Sequence, residues 1–208
     1  LSTEAAEALA QHKGGLYLNG LTTLSDEAAM ALAEHEYELC LDSLTSLTGE
    51  VAKALTHANG GLALALNGHT TLSGEAAKAL AQHKGRLELN GLNTLSNEAA
   101  KALAQQEGDL YLNGLNTLSG EAAKAFSHHK GGLHLNSLTT LSAETAKALA
   151  QHEGNLYLNS LATLSVESAK ALALHKGYLS LWGMTTLSDE AGKALRANSQ
   201  ISLPEKFR

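Results

Sequence analysis

Apolar and polar positions recur along this chain with a fixed period. Leu1, Leu24, Leu47, Leu72, Leu95, Leu118, Leu141, Leu164 and Leu187 open equivalent segments 23 residues apart, with a single step of 25 between Leu47 and Leu72. The most regular segment, residues 72–94, reads LSGEAAKALAQHKGRLELNGLNT. Its first half carries the signals of a helix. Ser at the second position (Ser73, Ser96, Ser119) can accept a hydrogen bond from an unpaired amide of the first helical turn. Glu two residues on (Glu75, Glu98, Glu121) meets the positive end of the helix dipole, one residue short of a reciprocal capping box. AAKALA then supplies strong helix formers with Lys outward, which predicts a helix of about 12 residues. Gly at the fourteenth position (Gly14, Gly85, Gly108, Gly131, Gly154, Gly177) predicts a stop in the left-handed conformation.

The second half reads as a strand. Leu-x-Leu (Leu87 and Leu89, Leu110 and Leu112, Leu133 and Leu135) alternates with period two, so both leucines face one side. Helices and strands this short are marginal alone, and only stacking of successive units sustains them. Strand, helix and strand in repeated order require parallel strands with right-handed crossovers. The predicted fold class is therefore α/β, a curved solenoid whose eight strands at ~4.8 Å spacing make a sheet about 40 Å across. Residues 1–186 are read as eight tandem units, and 187–208 as a partial ninth unit and C-terminal cap that decays into ANSQISLPEKFR.

The pattern resembles the leucine-rich repeat family. GRLELNGLNTLS approximates the family signature L-x-x-L-x-L-x-x-N-x-L, and LSxEAAKALA resembles the helical half of ribonuclease-inhibitor-like and bacterial GALA-type repeats. The resemblance covers nearly the whole chain. It implies a horseshoe or arc with a parallel β-sheet on the concave face and short helices on the convex face. It also implies a scaffold that binds proteins or other macromolecules on the strand face. One departure stands out: Asn90, Asn113, Asn136 and Asn159 follow the second strand leucine directly, where the family places two residues between.

Composition narrows the function classes. Hydrophobic residues are 44% but aromatic residues only 4%, so the core is built from Ala and Leu in register. A net charge of −6 with only three arginines (Arg86, Arg196, Arg208) argues against phosphate-backbone binding, so no nucleic acid is expected as a partner. Cys40 is the sole cysteine, which excludes an intramolecular disulfide and a cysteine metal cluster, and leaves the compartment open. No stretch approaches 18 consecutive apolar residues, so no membrane span is expected. The chain opens on Leu1, inside a unit, which points to a fragment or processed form, part of a larger chain.

Because units stack, each repeat position becomes a column. Asn19, Asp42, Asn67, Asn90, Asn113, Asn136 and Asn159, ending in Trp182, read as a buried ladder that bonds loop backbone. Thr23, Thr71, Thr94, Thr117, Thr140, Thr163 and Thr186 read as structural in the same way. His12, His35, His83, His129, His152 and His175 suggest a stacked metal site, but no second ligand type converges on them. A helix C-terminal role, with His favouring the dipole and bonding the last carbonyls, is the stronger reading, and no metal or cofactor is assigned. Lys84, Glu107, Lys130, Glu153 and Lys176 alternate in sign, as an ion-pair ladder would.

Two columns vary. Between the strand leucines lie Tyr17, Cys40, Ala63, Glu88, Tyr111, His134, Tyr157 and Ser180; just before the strand lie Gly15, Glu38, Gly61, Arg86, Asp109, Gly132, Asn155 and Tyr178. The first of these columns points away from the core. Tyr17, Arg86, Glu88, Asp109, Tyr111, His134, Tyr157 and Tyr178 are the candidate binding residues, with Tyr111, His134 and Tyr157 as the favoured neighbours. The unit with two extra residues, GGLALALNGHTT with His69 in place of Leu, predicts a bulge or longer strand. Tyr178, Trp182 and Met184 are expected to cap the last layer. No catalytic constellation stands outside the repeat pattern, so an enzyme is not expected. The expected function is recognition of a protein or peptide on the strand face. Glycan or cell-wall polymer binding on that face, or a structural spacer role, are the alternatives.

Overall fold

The computed structural model describes residues 1–56 and 63–208. Helix and strand alternate throughout. The helices are α1 (Thr3–Ala10), α2 (Asp26–Leu32), α3 (Gly49–Thr56), α4 (Gly74–Leu80), α5 (Asn97–Leu103), α6 (Gly120–Phe126), α7 (Ala143–Leu149), α8 (Val166–Leu172) and α9 (Asp189–Arg196). The strands are β1 (Leu16–Tyr17), β2 (Leu39–Cys40), β3 (Leu64–Ala65), β4 (Leu87–Glu88), β5 (Leu110–Tyr111), β6 (Leu133–His134), β7 (Leu156–Tyr157), β8 (Leu179–Ser180) and β9 (Ile201–Ser202). All nine strands form one parallel sheet in sequence order. Neighbouring strands sit ~4.8 Å apart while packed helix axes need ~8–10 Å, so the stack bends with strands inside and helices outside.

The core repeats with the sequence. In one unit Ala76, Ala77 and Leu80 of α4 meet Leu87 and Leu89 of the strand and Leu92 of the following turn, all fully buried. Burying each leucine contributes roughly 1.5–3 kcal/mol. Phe126 takes the place of Leu80 two units later and is equally buried. Serine N-caps form as the sequence predicts. Ser73 Oγ accepts from the Ala76 amide at 3.1 Å, and Thr48 does the same for Val51 in the third unit.

Several expectations are corrected. The helices have seven or eight residues, not about 12. Each ends where the chain must drop back to the sheet, through tight bonds such as His83 N–H to Leu80 O at 3.0 Å. Among the described residues only Gly14 has positive φ, at 136°. Gly108, Gly131, Gly154 and Gly177 instead serve close approach. A Cβ on Gly108, Gly131, Gly154 or Gly177 would collide with the carbonyl oxygen of the matching glycine one unit earlier.

The third unit keeps a strand of ordinary length. Its two extra residues fall between the start of α3 and β3, which shifts the register from that read in the sequence. Ala65, not Ala63, pairs with Cys40 and Glu88, and Ala63 takes the pre-strand place assigned to Gly61, which lies outside the described residues. His69 is buried in the leucine column beside Leu44 and Leu92.

At the far end Ile201–Ser202 add a ninth strand. Met184 and Leu203 are buried there, but Trp182 is 57% exposed, with the Arg208 guanidinium 5.8 Å from its ring centroid. Trp182 does not cap the core, because its column points to the loop edge of the sheet. The threonine column is exposed as well. Bonds between units at that level come from its neighbours, Thr45 Oγ1 to Thr22 O and Thr185 Oγ1 to Ala162 O.

Candidate functional site

Parallel pairing in exact-length units places equivalent side chains of successive strands side by side. Tyr111, His134 and Tyr157 are register partners on β5, β6 and β7. Their rings stack: Tyr111 on His134 at 3.7 Å between centroids and His134 on Tyr157 at 4.1 Å, each pair within 9° of parallel. Tyr178 closes one end, tilted at 59° and 5.8 Å from Tyr157. Arg86 closes the other, its guanidinium carbon 5.7 Å from the Tyr111 centroid. All five side chains are half-buried. The ring faces are therefore covered by each other, and the edges, with the tyrosine hydroxyls, remain for contact.

Arg86 is held from two sides. Its Nη2 lies 2.8 Å from Glu38 Oε1 and its Nε 3.0 Å from Glu88 Oε1. Glu38 also accepts from the Tyr17 hydroxyl at 2.8 Å, which pushes the phenol pKa above its ordinary value. Glu38 thus joins the exposed Tyr17 to the ring row. It was in the varying pre-strand column but not among the candidate residues. The signal for it was its opposite charge to Arg86 in the same varying column. Asp109 turns aside: its Oδ1 accepts from the Gly132 amide at 2.7 Å, so it supports the backbone entering β6. Cys40, Ala65 and Ser180 are buried. Burial carries the Cys40 thiol up to about 11, and lowers the pKa of His134.

Beneath the row runs the Asn column, half-buried over most of its length. Each side-chain oxygen accepts the amide of its counterpart in the next unit, from Asn19 and Asp42 at 3.2 Å to Asn159 and Trp182 at 3.1 Å. Asn136 adds a side-chain bond to Asn113 Oδ1 at 3.0 Å.

The His column does meet helix-end carbonyls, but those of the preceding unit: His35 Nδ1 lies 3.3 Å from the oxygen of Ala10, the last residue of α1. His12 is exposed, but His35, His83, His129, His152 and His175 are buried, because the chain turns inward straight after each helix. His129, His152 and His175 stack at 5.8 and 6.1 Å between centroids. Gln106 holds the same place in the fifth unit and donates to Gly85 O at 2.6 Å. Among the described residues no group of three or more His, Cys, Asp or Glu is arranged to hold a metal ion. Among the described residues none of Lys84, Glu107, Lys130, Glu153 and Lys176 forms an ion pair; all five are exposed. Pairs between units run along the helices instead, Lys78–Glu98, Lys124–Glu144 and Lys170–Glu190. No helix among the described residues is long and apolar enough to cross a membrane.

No protein-family model matches the sequence, and no curated protein is similar to it. Among solved structures, the chain is similar to a leucine-rich repeat protein of Leptospira interrogans, at 16% identity and a TM-score of 0.27, over 99% of this chain and 86% of that one. The architecture itself is read from the register and the columns: strand–helix units repeat along one parallel sheet as an α/β solenoid, similar in pattern to leucine-rich repeats.

Proposed function

We propose that the chain is a non-enzymatic recognition scaffold that holds a protein or peptide on its concave strand face. The observation that carries this reading is the row Arg86, Tyr111, His134, Tyr157 and Tyr178, fixed ring upon ring across neighbouring strands. Large side chains already immobilised by one another lose little freedom when a partner docks, which lowers the cost of binding. Tyrosine and arginine are also the residues that protein interfaces favour. Glycan stacking requires an open ring face, and the faces of Tyr111, His134 and Tyr157 are turned to each other. A structural spacer needs no such row.

Selection of peptides from a random display library against the chain tests this reading. Enriched peptides are expected to lose at least tenfold in affinity for the Tyr111→Ala, Tyr157→Ala double variant, whose circular dichroism stays unchanged. Peptides that bind both forms equally would remove the strand-face model.

A further inference from the structure

The imidazoles of His129, His152 and His175 take no part in the strand face, yet they form a continuous buried stack. Each is 1% exposed, and their rings lie within 15° of parallel in successive loops between helix and strand. What faces them is almost wholly neutral. His152 sees His129 on one side and His175 on the other, and the backbone of Asn155 and His129. His129 sees the backbone of Ala104, Gln106 and Gly132, with Asp109 as the carboxylate acting on it through space. His175 sees the backbone of Ala150, Gly154 and Tyr178. Lys130, Glu153 and Lys176, next in sequence, are exposed and form no ion pair among the described residues. No carboxylate touches any of the three rings, so a proton on one meets only backbone groups and, for His129, the field of Asp109, which burial outweighs; charges on two neighbours ~6 Å apart repel in a poorly screened interior.

We propose that this column is an acid-sensitive latch: protonation of the stacked imidazoles opens the loops that lead into β6, β7 and β8. The column rejects charge and not polarity. Gln106 occupies it as a neutral amide, equally buried and hydrogen-bonded to Gly85 O at 2.6 Å. The latch also sits where movement is transmitted, because Gly132, Asn155 and Tyr178 follow the three histidines by three residues and enter the strands. Burial, reinforced by its two histidine neighbours, lowers His152 from 6.5 to about 4; burial also lowers His129 and His175. An opened loop takes up the proton more readily than the closed one. Closure is therefore fully favoured above the ordinary histidine value near 6.5 and weakens as pH falls towards about 4. For His152 alone that span changes the opening equilibrium about a hundredfold.

Amide hydrogen exchange of the whole chain, read by mass spectrometry and corrected for intrinsic rates, tests the latch. Between pH 6.5 and 4, opening of residues 127–181 is expected to rise about a hundredfold or more in the native chain. In the His129→Gln, His152→Gln, His175→Gln variant it should rise less than about tenfold, since glutamine already fits the column. Unchanged protection in the native chain overturns the proposal, as does an equal rise in the variant. Should the variant fail to fold, the imidazole C2–H signals of the native chain decide. Three signals titrating well below 6.5 support the latch, and three titrating near 6.5 overturn it.

Discussion

Gly131 lies so close to the carbonyl oxygen of Gly108 that no side-chain carbon fits between them. The contact is backbone against backbone, which cannot yield as a flexible side chain can. Gly131→Ala is therefore expected to cost about 2–4 kcal/mol in urea denaturation, within the range of severe steric changes. Gly20→Ala is the control, because a Cβ there meets nothing within 4 Å. Its expected effect is within about 0.5 kcal/mol of zero.

The Asn ladder is a second test of how units are joined. Asn113 Oδ1 accepts both the backbone amide of Asn136 at 3.1 Å and its side-chain amide at 3.0 Å. Asn113→Ala strands two donors and should cost about 1–3 kcal/mol by equilibrium denaturation. Asn113→Asp should cost less, since Asp42 fills the same role for Asn67 at 3.1 Å.

Ion pairs along the helices should contribute almost nothing. Lys78 and Glu98 are 2.8 Å apart, but both side chains are 64% exposed. A double-mutant cycle on this pair is expected to give a coupling below about 0.5 kcal/mol, vanishing at 1 M salt.

Cys40 should be chemically quiet. Its thiol is buried among Glu38, Asp42 and Glu88, and burial first, then those carboxylates, carry its pKa to about 11. The thiolate is then scarcer at pH 8 than in the unfolded chain by roughly a hundredfold. Reaction with a disulfide reagent is expected to be slow in buffer and fast in urea, with the ratio of rates as the measurement.

What the sequence made legible follows from the nature of a solenoid. The sheet and the Asn ladder join residues one period apart, so columns such as Asn90 and Asn113 or Tyr111 and His134 can be paired from the sequence alone. Direction was harder. The histidines could be placed at helix ends but their burial could not be read, because the inward turn of the following loop leaves no periodic trace. The fourteenth-position glycines looked like left-handed stops, because a close approach and a positive φ select the same residue. The charge column misled because alternation in sequence says nothing about reach, and Lys84 and Glu107 are exposed with no ion pair between them. In the third unit the two added residues could be placed before or within the strand. Only the pairing of Ala65 with Cys40 and Glu88 decided it.

The stacked strands have one more consequence, for any extended chain that lies along them. Side chains on the sheet advance by ~4.8 Å from one strand to the next, while an extended polypeptide advances by ~3.4 Å per residue. The two scales act as a vernier, returning to coincidence after about five strand spacings and seven residues. From β4 to β8 the face spans five strands, one spacing short of that coincidence, and they hold the row from Arg86 to Tyr178. A ligand in phase at one end of that line is therefore out of phase at the other, so spacing, more than the order of its residues, would set its fit.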